Sequence, residues 1–395
     1  MAIATINPTT GETVKTFDPL TEAEIDARLT RAADTFPSYR LTTFATRGAW
    51  LTAAAQILDD ECDDIARTMT LEMGKTFASA RAEVQKCARA ARYFAANAER
   101  LLADEPADAA GVGASRAYAT YQPLGPVLAV MPWNFPLWQV MRFAAPGLMA
   151  GNVGLLKHAS NVPQTALILE DVLRRGGFPE GVFQTLLIGS VAVEYVLRNA
   201  RVVAATLTGS TGAGTSIARI AGSEIKKTVL ELGGSDPFVV MPSADLDEAA
   251  RVAVIARCQN NGQSCIAAKR FIVHTDVYDA FTERFVAGMR ALEVGDPMVD
   301  AVDVGPLATE AGRSDLEALV DAALASGATA LCGGRRLDGP GWFYPPSVIT
   351  DIEPSMAIFG EEVFGPVASL FRVRDLDEAI ALSNATVFGL GSNIW

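Results

Sequence analysis

Three residues stand where their type and surroundings permit chemistry. Cys265 closes the run Asn261-Gly262-Gln263-Ser264-Cys265, between an amphipathic helical stretch and a short apolar strand. Glycine and small polar side chains leave backbone N–H groups accessible around the sulfur, and a thiolate is a strong nucleophile. An arbitrary cysteine is an inert thiol roughly nine times in ten, and Cys62, Cys87, Cys258 and Cys332 are read that way. Glu231 ends an apolar run just before Gly233-Gly234, where glycine backbone permits close approach. A carboxylate placed so either faces water at a strand edge or serves a site that the glycines let close around it. Asn134 lies in Pro132-Trp133-Asn134-Phe135-Pro136, a turn that two prolines hold in a narrow range. Its amide is either a turn former or a donor to a developing oxyanion.

A second group of residues suits a dinucleotide. Gly209-Ser210-Thr211-Gly212-Ala213-Gly214 follows a strand and opens a helix, a context in which backbone donors face an anion. The spacing departs from G-x-G-x-x-G, so the turn alone is a weak signal. Lys157 ends another strand and is either a ribose or phosphate contact or a solvated surface lysine.

These residues need an α/β frame. Residues 1–103 read as largely helical, with a capping box at Thr21/Glu24 and a helix stop at Gly74. Residues 104–113 form a loop, and Ser115 to Gln122 alternate like a strand. From Gly125 onward, apolar runs at Val127–Met131, Val153–Lys157, Val182–Ile188 and Val202–Thr208 alternate with helices near 163–175, 189–198 and 213–222. A second series has strands at Phe238–Met241, Phe271–His274, Ala328–Cys332 and Val367–Phe371, with helices near 245–259, 276–292, 311–326 and 375–383. Such alternation implies parallel βαβ units in two α/β lobes.

Composition narrows the classes. The 395 residues exceed what one core usually serves, and half are hydrophobic, which excludes disorder. A net charge of −13 repels phosphate backbones, so no nucleic-acid partner is expected. The longest apolar stretch, about 143–156, is broken by Pro146, Gly147, Gly151 and Asn152 and is too short to span a bilayer. No signal peptide is visible, and five scattered cysteines fit a reduced cytoplasmic protein. With two histidines and no cluster of zinc spacing, no metal site is expected.

Pro132-Trp133-Asn134-Phe135-Pro136, Leu230-Glu231-Leu232-Gly233-Gly234, Gly262-Gln263-Ser264-Cys265 and Glu362-Val363-Phe364-Gly365-Pro366 together resemble the aldehyde dehydrogenase superfamily, in the family's order and over essentially the whole chain. The resemblance implies an α/β fold with a Rossmann-like cofactor domain (1–103 and 124–233), an oligomerisation hairpin (104–123) and an α/β catalytic domain (234–395). It implies Cys265 as nucleophile, Glu231 as general base, and Asn134 with the Cys265 N–H as oxyanion donors. Cofactor contacts fall on Trp133, Asn134, Lys157, His158, Ala159, Ser160, Gly209, Ser210, Leu232, Glu362 and Phe364. His158 is expected to be an exposed bystander. Because acylating relatives generally lack the glutamate, Glu231 implies hydrolysis to a carboxylic acid.

NAD-preferring relatives usually carry a glutamate three residues after the lysine; here the run is Lys157-His158-Ala159-Ser160, so NADP is expected over NAD. The local wording is most similar to bacterial succinate-semialdehyde dehydrogenases. Arg142, eight residues after Asn134, matches their carboxylate-binding arginine, a role to weigh against a structural ion pair. Six residues before Cys265, where some members have a second arginine, stands Gln259, so Arg257 or another basic group would have to substitute. Family members normally run several tens of residues past Trp395, and with that last strand a homo-oligomer, dimer or tetramer, is expected. Two other readings stay open: a dehydrogenase for another short aliphatic aldehyde, and an inactive binding or structural protein on the same fold.

Overall fold

The computed structural model describes residues 2–395, which pack as two compact units. One takes the first residues through Thr5, Lys15–Thr68 and Arg81–Glu231; the other takes Ile6–Val14, Met69–Ala80 and Leu232–Trp395.

The N-terminal region carries β1 (Ile3–Ile6), β2 (Thr13–Phe17) and helices α1 (Glu22–Tyr39), α2 (Phe44–Asp60), α3 (Cys62–Met73) and α4 (Phe77–Leu101). The capping box opens α1: the Glu24 N–H donates to Thr21 Oγ1 at 3.3 Å, and Glu24 Oε2 accepts from the Thr21 N–H at 2.8 Å. Gly74, at φ +80°, parts α3 from α4. A side chain there would meet the Pro306 carbonyl at 2.7 Å, and Asn261 Nδ2 donates to the Gly74 carbonyl at 2.8 Å. That is why Met69–Ala80 packs with the second unit.

Between the helical region and the first large sheet, only β3 (Glu105–Pro106) and β4 (Tyr118–Ala119) pair, antiparallel. The strand expected over 115–122 shrinks to these two exposed residues, as a two-stranded pair that buries neither of them gains little from being longer.

The first unit's sheet has β5 (Pro126–Met131), β6 (Val153–His158), β7 (Phe183–Thr185), β8 (Ala204–Thr208) and β9 (Lys227–Glu231) in the order β7-β6-β5-β8-β9, all parallel. Helices α5 (Trp138–Met149), α6 (Pro163–Arg175), α7 (Ala192–Arg198) and α8 (Thr211–Ser223) connect them. The near-continuous apolar runs of β5 and β6 are buried, as both faces of a parallel sheet require. The chain moves outward from β5 to β7, then returns beside β5 with β8. The carboxyl ends of β5 and β8 therefore flank a topological switch point, where open α/β sheets bind ligands. β9 is an edge, with Val229 63% exposed.

The second unit's sheet runs β12-β13-β14-β11-β10-β15. Its strands are β10 (Asp236–Val240), β11 (Ala268–His274), β12 (Thr329–Cys332), β13 (Ser347–Thr350), β14 (Val367–Val373) and β15 (Asn393–Ile394); only β12 is antiparallel to its neighbour. Around it lie α9 (Leu246–Cys258), α10 (Tyr278–Arg290), α11 (Glu310–Ala325), α12 (Ala357–Gly360) and α13 (Leu376–Ser383). Period-two alternation splits the core: Phe238 and Phe271 pack with Phe281 and Phe285 on one face, while Val239 and Ile272 pack with Ile349 and Phe371 on the other. β13 was not among the expected strands; its Ser-Val-Ile-Thr is short, and two prolines precede it.

Candidate active site

In the second unit, Cys265 sits on a loop that unusual backbone geometry shapes. Directly after α9, Asn260 (φ 55°), Asn261 (φ 57°) and Gly262 (φ 72°) are left-handed in succession. Asparagine and glycine are the residues that tolerate this region. Asn261 fixes the turn by donating to the Pro306 carbonyl at 3.0 Å and accepting from the Gly305 N–H at 3.0 Å. Gln263 Oε1 accepts from the Ala308 N–H at 3.0 Å. The loop delivers Cys265 partly exposed, while Cys62, Cys87 and Cys258 are buried and Cys332 is half-buried.

Glycines let three of the sequence motifs meet. A side chain at Gly262 would run into the Gly365 backbone, and one at Gly233 into the Glu362 carboxylate. A Cβ at Gly234 would stand 2.5 Å from the Cys265 carbonyl. Glu362 Oε1 accepts from the Gly234 N–H at 3.0 Å and pairs with Lys269 Nζ at 3.4 Å. Lys269 is fully buried and donates to the Ser264 and Cys265 carbonyls, each at 2.8 Å. Burial pushes its ammonium down to about 8, with Arg257 adding repulsion and Glu362 and Asp236 opposing. Arg257, the arginine considered as a substrate contact, is fully buried and donates to the Gly262 carbonyl at 2.6 Å, with burial lowering it to about 10. It shapes the loop. Leu232 and Phe364 belong to this unit and are half-buried.

The first unit carries the remaining predicted residues. Asn134 follows β5 and is 4% exposed, and Trp133 beside it is half-buried. The turn is held from two sides. Glu83 Oε1 accepts from the Leu137 and Trp138 N–H groups, each at 2.9 Å, which satisfies the start of α5. His158 Nε2 donates to the Pro136 carbonyl at 2.8 Å, while Nδ1 accepts from the Ala159 N–H at 2.9 Å. The ring expected to be an exposed bystander is thus a buried, neutral clamp. Burial lowers its pKa to about 4, opposed by the nearby Pro136 and Met131 carbonyls, which favour the protonated ring, and helped by the neighbouring Lys157 charge. Lys157, next to it, is also buried, and desolvation lowers its pKa.

At the end of β8, Ser210 caps α8, its hydroxyl accepting from the Ala213 N–H at 3.3 Å. An added Cβ at Gly212 would meet nothing within 4 Å, so the turn is open. Arg142, on α5, donates to Thr208 Oγ1 at 2.9 Å and lies 3.6 Å from Glu231 Oε2. All three line a cleft of about 870 Å³ with Met131, Gln139 and Phe143. Apolar walls around Arg142, Lys227 and Glu231 suit a small ligand with an apolar stem and an anionic end.

The aldehyde dehydrogenase family model matches residues 1–395. The chain belongs to the aldehyde dehydrogenase family. It is 69% identical over 396 residues to the succinate-semialdehyde dehydrogenase [NADP(+)] of Mycolicibacterium paratuberculosis, covering 100% of this chain and 84% of the relative. The enzyme of the same name from Mycobacterium leprae is 65% identical, with 100% and 86% covered. Among solved structures, the succinic semialdehyde dehydrogenase of Streptococcus pyogenes in complex with NADP+ is similar with a TM-score of 0.96 at 37% identity, over 100% of this chain and 86% of that one.

Motif reading of this aldehyde dehydrogenase singled out residues with conspicuous neighbours and passed over the side chains that hold their backbones. Glu83 and Thr208 carry no local signal. Lys269 and Arg270 had one: two cations opening the apolar strand Phe271-Ile272-Val273 are hard to place except as buried and bonded. Arg270 accordingly donates to the Ser235, Leu382 and Ser383 carbonyls.

Proposed function

We propose that this aldehyde dehydrogenase oxidises succinate semialdehyde to succinate with NADP, through a thiohemiacetal and a thioester on Cys265. The observation that carries the substrate is the cleft that holds Arg142 and Glu231 between apolar walls. A guanidinium can hold the substrate carboxylate while the chain of carbons lies along Met131 and Phe143. The mycobacterial relatives share the name of that activity.

Cys265 forms a bond to the aldehyde carbon, and the oxygen becomes an oxyanion. Asn134 and the Cys265 N–H stabilise it; one such donor is typically worth about 3–4 kcal/mol. NADP supplies the acceptor for the hydride when bound. Glu231 then removes a proton from the water that attacks the thioester, and succinate leaves as the thiol is restored.

The residues present fit NADP. Ser160 replaces a carboxylate that would repel a 2′-phosphate, and the Gly209–Gly214 turn is open at the switch point. Trp133, Lys157, Ala159, Ser160, Gly209, Ser210, Leu232, Glu362 and Phe364 would hold it. His158 acts by keeping Pro136 in place. The two domains meet at 233/234 in this reading, the enzyme works in the cytoplasm, and the 104–123 hairpin joins protomers into a dimer or tetramer.

Purified chain should reduce NADP in the presence of succinate semialdehyde, and Cys265→Ser should abolish this. Undiminished turnover by the serine variant would remove Cys265 from the mechanism. A second reading, oxidation of another short aldehyde, is favoured by Arg142 already having Thr208 and Glu231 as partners. Comparing succinate semialdehyde with an uncharged aldehyde of similar length separates the two.

A further inference from the structure

We propose that Lys269 is a positioning residue for the nucleophile, its buried charge clamping the Cys265 loop and holding the sulfur in its reactive, ionised form. The inference rests on Cys265 being the nucleophile. The ammonium has three protons and is given to the loop's backbone: Ser264 and Cys265 carbonyls at 2.8 Å and the Ala267 carbonyl at 3.3 Å. A peptide held at its carbonyl cannot rotate, so the Cys265 Cα–Cβ direction is fixed with it. Covalent geometry from that carbonyl then keeps the sulfur within roughly 7 Å of the ammonium in any rotamer.

A full positive charge so close, inside protein, favours a thiolate over a thiol. A buried ammonium is costly, so the lysine stands there for its donors and its charge: an apolar side chain of the same length would fill the space but give the three carbonyls no donor and the sulfur no neighbouring charge. The charged groups that face it are Arg257 from α9, Asp236 from β10 and Glu362 from the segment after α12. Arg257 donates to Gly262 on the same loop, so two buried cations flank the nucleophile's backbone. Glu362 lies 3.4 Å from Lys269 and partly neutralises it. The carboxylate that family resemblance assigns to the nicotinamide ribose is thereby tied to the loop that carries the sulfur.

The test is the pH dependence of Cys265 alkylation by iodoacetamide, read by mass spectrometry of the Cys265 peptide in the full chain. K269M should raise the midpoint by about one unit, which is about tenfold less thiolate at neutral pH, and lower the turnover number in step. K269R, which keeps the charge, should stay near the wild-type midpoint. E362Q, which strips away the neutralising carboxylate, should move the midpoint the opposite way, downward. A scaffold role would not produce opposite shifts from two neighbouring charges. Midpoints unmoved in K269M, or unmoved or raised in E362Q, overturn the inference; the second variant decides if the first does not fold. The Cys265→Ser control separates the failures. Turnover without the sulfur sinks the nucleophile assignment, whereas lost turnover with unmoved midpoints sinks only the role of Lys269.

Discussion

At the scale of single residues, Glu231 and Arg142 line one cleft, and under the proposed mechanism their variants should fail differently. Glu231→Gln should still give a single-turnover burst of reduced NADP with little steady-state rate, because only thioester hydrolysis needs the base. Stopped-flow absorbance checks this, and a missing burst would assign Glu231 to an earlier step. Arg142→Leu should raise KM for succinate semialdehyde and lower kcat/KM about 10–100-fold, the worth of hydrogen bonds to a charged group, while leaving an uncharged aldehyde nearly unaffected. His158 gives a pH prediction. Its folded pKa, about 4, lies below the unfolded value, so the unfolded chain binds more protons between those values. Stability is full above pH 6.5 and is lost as pH falls towards 4. Between pH 7 and 5 this ring should contribute about 2 kcal/mol of the loss. Urea midpoints of wild type and His158→Gln at both pH values should show a flatter dependence in the variant. Cys265, Glu231 and Asn134 were singled out because motif context sets them apart. His158 was misread because burial, unlike spacing, depends on the β5–α5 turn that folds over it.

At the scale of elements, most strands and helices of both sheets were legible, since apolar runs bounded by turns report buried parallel strands directly, whereas the short β13 and the helix α5, whose pattern Pro146 and Gly147 break, were not. What stayed hidden are contacts between distant segments. The start of α5 depends on Glu83 from α4, 54 residues earlier in the chain. Glu83→Ala should leave two N–H groups unsatisfied, costing about 1–3 kcal/mol, and should lower activity by loosening the Asn134 turn. Denaturant unfolding and kcat together check it. Gly262 joins the Cys265 loop to Gly365. Gly262→Ala combines a left-handed backbone with a collision against that backbone, so a loss of about 2–4 kcal/mol is expected.

At the scale of the whole molecule, an acidic chain of net charge −13 must bind an anionic cofactor through local donors alone. Because Ser160 stands where a carboxylate would repel the 2′-phosphate, NADP should nonetheless raise the unfolding temperature more than NAD at equal concentration; at 100 times its Kd the ligand adds about 2.7 kcal/mol. A larger shift with NAD would overturn the cofactor assignment. An α/β architecture followed from the alternation of strands and helices, whereas the strand order that makes the β5/β8 switch point did not. That Ile6–Val14 and Met69–Ala80 pack with the second unit did not, because their anchors are the backbones of Gly74, Pro306 and Gly341.

The central claim is a covalent bond to one sulfur. Glu231→Gln, mixed with NADP and succinate semialdehyde and quenched in acid, should yield a Cys265 peptide carrying an acyl group, found by mass spectrometry. Reduced NADP formed while that peptide stays unmodified, in the variant and the wild type alike, would contradict the account.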